Sequence, residues 1–189
     1  MAEVLLFHHA QGLTAGVLEF AAELRGSGHE VHTPDLYEGE TFADLDDGVA
    51  HMKKIGFETL IERSRKAVET LPAGLVYGGM SMGAAPAQML AQTRPGARGV
   101  LLMFGALPAS EFGGAWPEGV PLQIHAMADD PWFKEDIEAA RELADLAGGE
   151  LFLYPGDKHL FADNSLPDYD EDAATLFKQR ALEFLDSIG

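Results

Sequence analysis

Short apolar runs alternate with amphipathic stretches along the whole chain, and this alternation restricts the fold more than any other feature of the sequence. The runs fall at 4–8, 30–33, 75–80, 99–104, 122–127 and 150–154. Helical patterns lie between them at 14–25, 42–71, 84–92, 133–146 and 171–188, and Gly56 breaks the long second pattern into two pieces. Near-continuous apolar strands joined by helices describe a parallel sheet covered on both faces, because each crossover helix must bury its apolar stripe against the sheet. The expected class is α/β: a doubly wound, six-stranded, mainly parallel sheet with helices on both faces. With 189 residues, 47% of them hydrophobic, the chain is long enough for one sizeable core, and one domain over 1–189 is expected.

In such sheets the ligand site lies outside the carboxyl ends of the strands, so the residues that follow each strand are those to read for chemistry. The first strand is followed by His9, Ala10 and Gln11, and the second by Asp35, Leu36 and Tyr37. Ser81 and Met82 follow the third, Asp129 and Asp130 the fifth, and His159 the sixth. A serine hydroxyl is a poor nucleophile near neutral pH unless a base lies within hydrogen-bond reach and a third group holds that base in the right tautomer. Ser81, Asp130 and His159 supply those types in the chain order of a nucleophile-elbow hydrolase.

Ser81 lies in "YGGMSMGAA", between Gly79 and Gly83 at G-x-S-x-G spacing. A strand turning sharply into a helix brings backbone against backbone, and small residues on either side of the serine relieve that contact. The same sequence also fits a serine that merely caps the following helix. The turn would place the Met82 amide at a helix N-terminus, where it can donate to a developing oxyanion. The loop after the first strand should bring a second amide, from Ala10 or else Gln11, with Gly12 and Gly16 letting the loop approach the elbow. Asp130, directly before Pro131, is the expected partner of His159, with Asp129 as a solvated neighbour or a helix cap.

The remaining features read more weakly. His8 and His9 look like a metal pair, yet adjacent strand residues point to opposite faces; one is expected in the core and His9 in the pocket. Tyr37, Trp116, Trp132 and Phe161 sit in loops at the carboxyl edge, as does Phe112, and would wall a small apolar pocket. His29 and His51 read as surface residues. The carboxylates Asp163, Asp168, Asp170, Glu171 and Asp172 do not match calcium-loop spacing and read as solvated.

Composition excludes other classes. There are no cysteines, so disulfides, thiolate metal sites and a cysteine nucleophile are ruled out. The 31 acidic against 13 basic side chains give a net charge of −18, which disfavours nucleic acid and anionic membranes as partners. No G-x-G-x-x-G follows the first strand and no Walker A sequence occurs, so no nucleotide or other cofactor is expected. The N-terminus "MAEVLLFHHAQG" has no basic segment and only a short apolar run, so a cytoplasmic location is expected.

Across nearly its whole length the sequence resembles the dienelactone hydrolase family of α/β-hydrolases, through "HHAQGLTAGV", "GHEVHTPDLYEG", "YGGMSMGAA", "MADDPWF" and "PGDKHLFAD". The resemblance implies a minimal α/β-hydrolase fold with no separate lid domain. It also implies Ser81, Asp130 and His159 as the catalytic triad, with an oxyanion amide near Ala10. Two departures bear on substrate. Family members acting on dienelactone use a cysteine where this chain has Ser81, and commonly carry an arginine where it has Asp163. A carboxylate there would repel an anionic lactone, so a small neutral or apolar ester or lactone is the expected substrate. The alternative is a non-catalytic protein of the same fold that binds a small apolar ligand at these strand ends.

Overall fold

The computed structural model describes residues 1–189. The apolar runs form β1 (Glu3–Phe7), β2 (Glu30–His32), β3 (Val76–Met80), β4 (Gly99–Met103), β5 (Leu122–Met127) and β6 (Glu150–Tyr154). They build one six-stranded sheet in the order β2-β1-β3-β4-β5-β6, and every pairing is parallel. The helices are α1 (Ala15–Gly26), α2 (Leu45–Ile55), α3 (Phe57–Ala67), α4 (Ala84–Thr93), α5 (Ile137–Ala147) and α6 (Glu171–Ile188). No helix is long and apolar enough to cross a membrane.

Alternation along the strands sorts side chains onto the two faces of the sheet. Leu5, Phe7, Tyr77, Val100, Leu102 and Ile124 join one core with residues of α3, α4 and α5. Val4, Leu6, Val76, Leu101 and Met103 join the other with Val17, Phe20 and Leu24 of α1 and Phe177 and Phe184 of α6. The central strands β3, β4 and β5 are buried throughout, which explains why they read as unbroken apolar runs.

Local signals set the helix ends. The Thr14 hydroxyl accepts from the Val17 amide to start α1, and the Asp170 carboxylate accepts from the Ala173 amide to start α6. The expected break at Gly56 is where α2 ends and α3 begins. Its φ of 89° carries the chain through a conformation that strains any other residue.

Strand order places the site. The chain leaves β1 to build β2 on one side, then returns to build β3 on the other, so the loops after β1 and β3 diverge around a crevice. Ala10 follows the first of these strands and Ser81 the second.

Candidate active site

Ser81 occupies the turn between β3 and a short 3-10 turn, Ser81–Gly83, that leads into α4. Its φ of 50° is left-handed, unusual for a serine and the mark of a sharply turned strand end. The flanking glycines permit that geometry. A Cβ on Gly83 would sit 2.6 Å from the Phe7 carbonyl oxygen and 2.7 Å from that of His8, and one on Gly79 would strike the Gly83 carbonyl. Gly83 thus lets the end of β1 lie against the elbow. Gly83→Ala should force the two apart, cost about 3 kcal/mol as overpacking against backbone, and lower Tm by roughly 6–12 °C in a chain of this size. Thermal unfolding followed by circular dichroism measures the shift.

From Ser81 a hydrogen-bonded series runs inward. Ser81 Oγ lies 2.8 Å from His159 Nε2, and His159 Nδ1 lies 2.7 Å from Asp130 Oδ2. The second Asp130 oxygen accepts from the Trp132 amide at 2.9 Å. Asp130 is 1% exposed and His159 5%, whereas Asp129 faces solvent. The choice between the two aspartates follows: Asp130 turns in toward the imidazole. His159 is held between two aromatic rings, Phe104 at 6.1 Å and Trp132 at 5.9 Å between centroids. In this order a carboxylate can fix the Nδ1–H tautomer and leave Nε2 free to accept a proton from the hydroxyl.

The series opens onto a cavity of about 460 Å³ lined mostly by hydrophobic side chains. Ala10 and Met82 border it beside Ser81 and His159. The Ala10 amide donates to no acceptor within the protein, and Met82 lies in the first turn of its short helix, where amides have no intrahelical acceptor. Trp132, 44% exposed, forms part of the wall. Val49, Met52, Lys53 and Phe57 line it from α2 and α3, and Phe104, Glu135 and Asp136 from the loops after β4 and β5. Burial pushes the Asp136 carboxyl above the usual carboxylate range, even though it accepts a hydrogen bond from the Ala106 amide.

Several residues expected in the pocket lie elsewhere. Tyr37 is buried beneath it, its hydroxyl donating to Met82 Sδ at 3.1 Å; burial pushes the phenol up to about 12, so it stays a donor. Phe161 is wholly buried and packs on Phe104, Tyr154 and Phe177. Trp116 packs against the core and donates from Nε1 to the Val120 carbonyl at 2.8 Å. Tyr37 and Phe161 satisfy their apolar surface in the protein interior, and the half-buried Trp116 lies outside the cavity wall.

His9 is also absent from the wall. It is fully buried, with Nε2 2.8 Å from Asp163 Oδ2 and Nδ1 accepting from the Gln11 amide at 3.2 Å. Asp163, expected in solvent, is 2% exposed. It accepts from His9, from the Thr14 hydroxyl at 2.5 Å, and from the Ser165 amide and hydroxyl at 2.8 and 2.6 Å. Burial opposes its charge, but the bonds from His9, Ser165 and Thr14 outweigh that and hold its pKa down to about 2. Gly16 makes room for this carboxylate and Gly12 for the loop backbone at Glu40 and Thr41, so neither meets the elbow. His29, expected at the surface, is buried, its Nδ1 accepting from the Ala2 amide at 3.2 Å.

Phe104 and Gly105 were within reach of the strand-end rule, because they follow β4 as Ser81 follows β3. The contributions of α2 and α3 carry no such signal. Those helices reach the cavity only through tertiary packing, α2 against α3 and α3 against α4.

Comparison with known proteins places this geometry in a family context. The profile of the Dienelactone hydrolase family matches residues 1–189. No curated protein matches the chain. Among solved structures, a dienelactone hydrolase-like promiscuous phosphotriesterase from metagenomic libraries is 19% identical, with a TM-score of 0.79 over 100% of this chain and 87% of that one. The dienelactone hydrolase of Anabaena variabilis ATCC 29413 is 18% identical, with a TM-score of 0.70 over 100% and 87%. The thioesterase domain from the curacin biosynthetic pathway is 15% identical, with a TM-score of 0.63 over 94% and 90%. At these identities the likeness is one of fold.

Proposed function

Since the chain belongs to the dienelactone hydrolase family, and is thereby a hydrolase of α/β fold, we propose that it cleaves a small neutral ester or lactone through an acyl-enzyme on Ser81. The observation that carries this reading is the continuous series Ser81, His159, Asp130 at the mouth of an apolar cavity. His159, oriented through Nδ1 by Asp130, takes the Ser81 proton at Nε2 as Oγ attacks the carbonyl carbon. The amides of Ala10 and Met82 receive the negative charge that moves onto the carbonyl oxygen. As the tetrahedral intermediate collapses, the bond to the leaving oxygen breaks and His159 returns the proton to it. Water, deprotonated by the same imidazole, then attacks the acyl-enzyme and releases the acid and Ser81.

The charge of the cavity supports neutral substrates, through different residues from those expected at first. Asp163 is turned away into its own network, but Glu135 and Asp136 line the wall, with Lys53 as the cation among the lining residues. An ester bearing a carboxylate should therefore show kcat/KM about tenfold below its neutral isostere, the size of a modest like-charge repulsion in a partly solvated site. Carrying Glu135→Gln with Asp136→Asn should narrow that gap. Hydrolysis of matched neutral and anionic aryl esters is the test, and equal or better turnover of the anionic ester would contradict the substrate assignment. Thioesters and phosphotriesters belong in the same panel, given the names of the solved neighbours.

A further inference from the structure

The adjacent histidines at the end of β1 have no part in the proton transfers above, yet both are fully buried and hydrogen-bonded at both ring nitrogens. His8 Nε2 accepts from the Leu36 amide at 3.0 Å, so the proton sits on Nδ1 and donates to the His9 carbonyl at 2.8 Å. The Gly12 amide donates to the same carbonyl at 3.0 Å. That carbonyl belongs to the peptide unit whose N–H is the amide of Ala10. Its plane is therefore fixed by two donors on the oxygen side, while the N–H has no acceptor in the protein.

His9 holds the same peptide from the other direction. Its Nδ1 accepts from the Gln11 amide, so Nε2 carries the proton and donates to Asp163. Asp163 follows His159 on the loop after β6, and its remaining bonds go to Thr14, which caps α1, and to Ser165, whose hydroxyl accepts from the Gly16 amide at 3.1 Å. One buried carboxylate thus joins the loop bearing the base to the loop bearing the Ala10 amide. A buried ion held by hydrogen bonds contributes little net stability compared with an apolar replacement, and what it supplies is a single geometry.

We propose that His8, His9 and Asp163 form a clamp that orients the His9–Ala10 peptide, aiming its N–H at the oxyanion and setting the oxyanion loop in register with the His159 loop. They are positioning residues, and the inference rests on the hydrolase reading above. A misdirected or withdrawn oxyanion donor lowers kcat by about 10²-fold while ground-state binding is kept.

His8→Leu and Asp163→Asn should each lower kcat on a neutral ester by about 10²-fold, with KM within about threefold of wild type. Affinity for a trifluoromethyl ketone, whose adduct places an oxyanion at the same donors, should fall in parallel. His8→Asn carries an amide nitrogen where Nδ1 stands and should regain about tenfold of the loss. The pH dependence of kcat/KM should keep its wild-type midpoint in all three, because the His159–Asp130 pair is untouched. Should His8→Leu or Asp163→Asn lose its melting transition, Ser165→Ala, at an exposed position, removes one donor from Asp163 and should lower kcat a few-fold. Retention of wild-type kcat by the folded variants, a shifted pH midpoint, or His8→Asn no better than His8→Leu would overturn the clamp. If instead ester hydrolysis survives Ser81→Ala, the hydrolase reading itself fails; activity that depends on Ser81 but ignores these variants removes the clamp alone.

Discussion

Alanine in place of Ser81 is expected to lower kcat for ester hydrolysis by about 10⁴ to 10⁶, the range for a nucleophile that works as a unit with its base. Residual turnover would come from the oxyanion amides and from binding, so KM should change little. The substitution is small and lies at the mouth of a cavity, and alanine at φ near 50° is as strained as serine, so the turn itself gains and loses nothing. Stability should therefore move by less than about 1 kcal/mol. Steady-state kinetics beside a thermal melt separates the loss of chemistry from any loss of fold. Hydrolysis within tenfold of wild type would place the reaction elsewhere.

Asp130→Asn should be nearly as damaging, lowering kcat by about 10⁴ through the tautomer of His159. The Asp130 carboxylate accepts from the Trp132 amide with one oxygen and from His159 with the other. In the asparagine variant the side-chain oxygen stays on the Trp132 N–H, since turning the amide over would set two donors against each other. The NH2 group then faces Nδ1 and donates to it, leaving the imidazole proton on Nε2. In that state His159 cannot accept from Ser81. Asp129→Asn, on the exposed neighbour, should leave kcat within about twofold, as surface changes usually do. Equal effects of the two substitutions would show that the imidazole is not oriented by Asp130.

The sheet was legible in the sequence because its central strands are buried on both faces and read as unbroken apolar runs, each starting and ending within about a residue of the structure. The helix break at Gly56 was legible for a local reason, its φ. Ser81, Asp130 and His159 could be proposed together because parallel strands all end at one edge of the sheet, which is where the residues after β3, β5 and β6 lie. What the sequence concealed was burial in loops. Asp163 stands in an acid-rich segment and reads as solvated, yet its partners His9 and Thr14 lie 154 and 149 positions away. Tyr37, Trp116 and Phe161 have the composition of a pocket wall, but whether a loop aromatic faces a ligand or the core depends on what packs over it. His9 misled in the same way. It follows β1 beside Ala10, but its ring turns from the cavity because a carboxylate from the far end of the chain draws it inward.

The most direct measurement of the central proposal is reaction of the purified protein with a small alkyl fluorophosphonate, followed by intact mass and peptide mapping. A serine activated by His159 and Asp130 should take one phosphonyl group, mapped to Ser81, with no addition in the Ser81→Ala variant and strongly slowed addition in Asp130→Asn. A folded protein that stays unlabelled, or one labelled at any residue other than Ser81, would contradict the account.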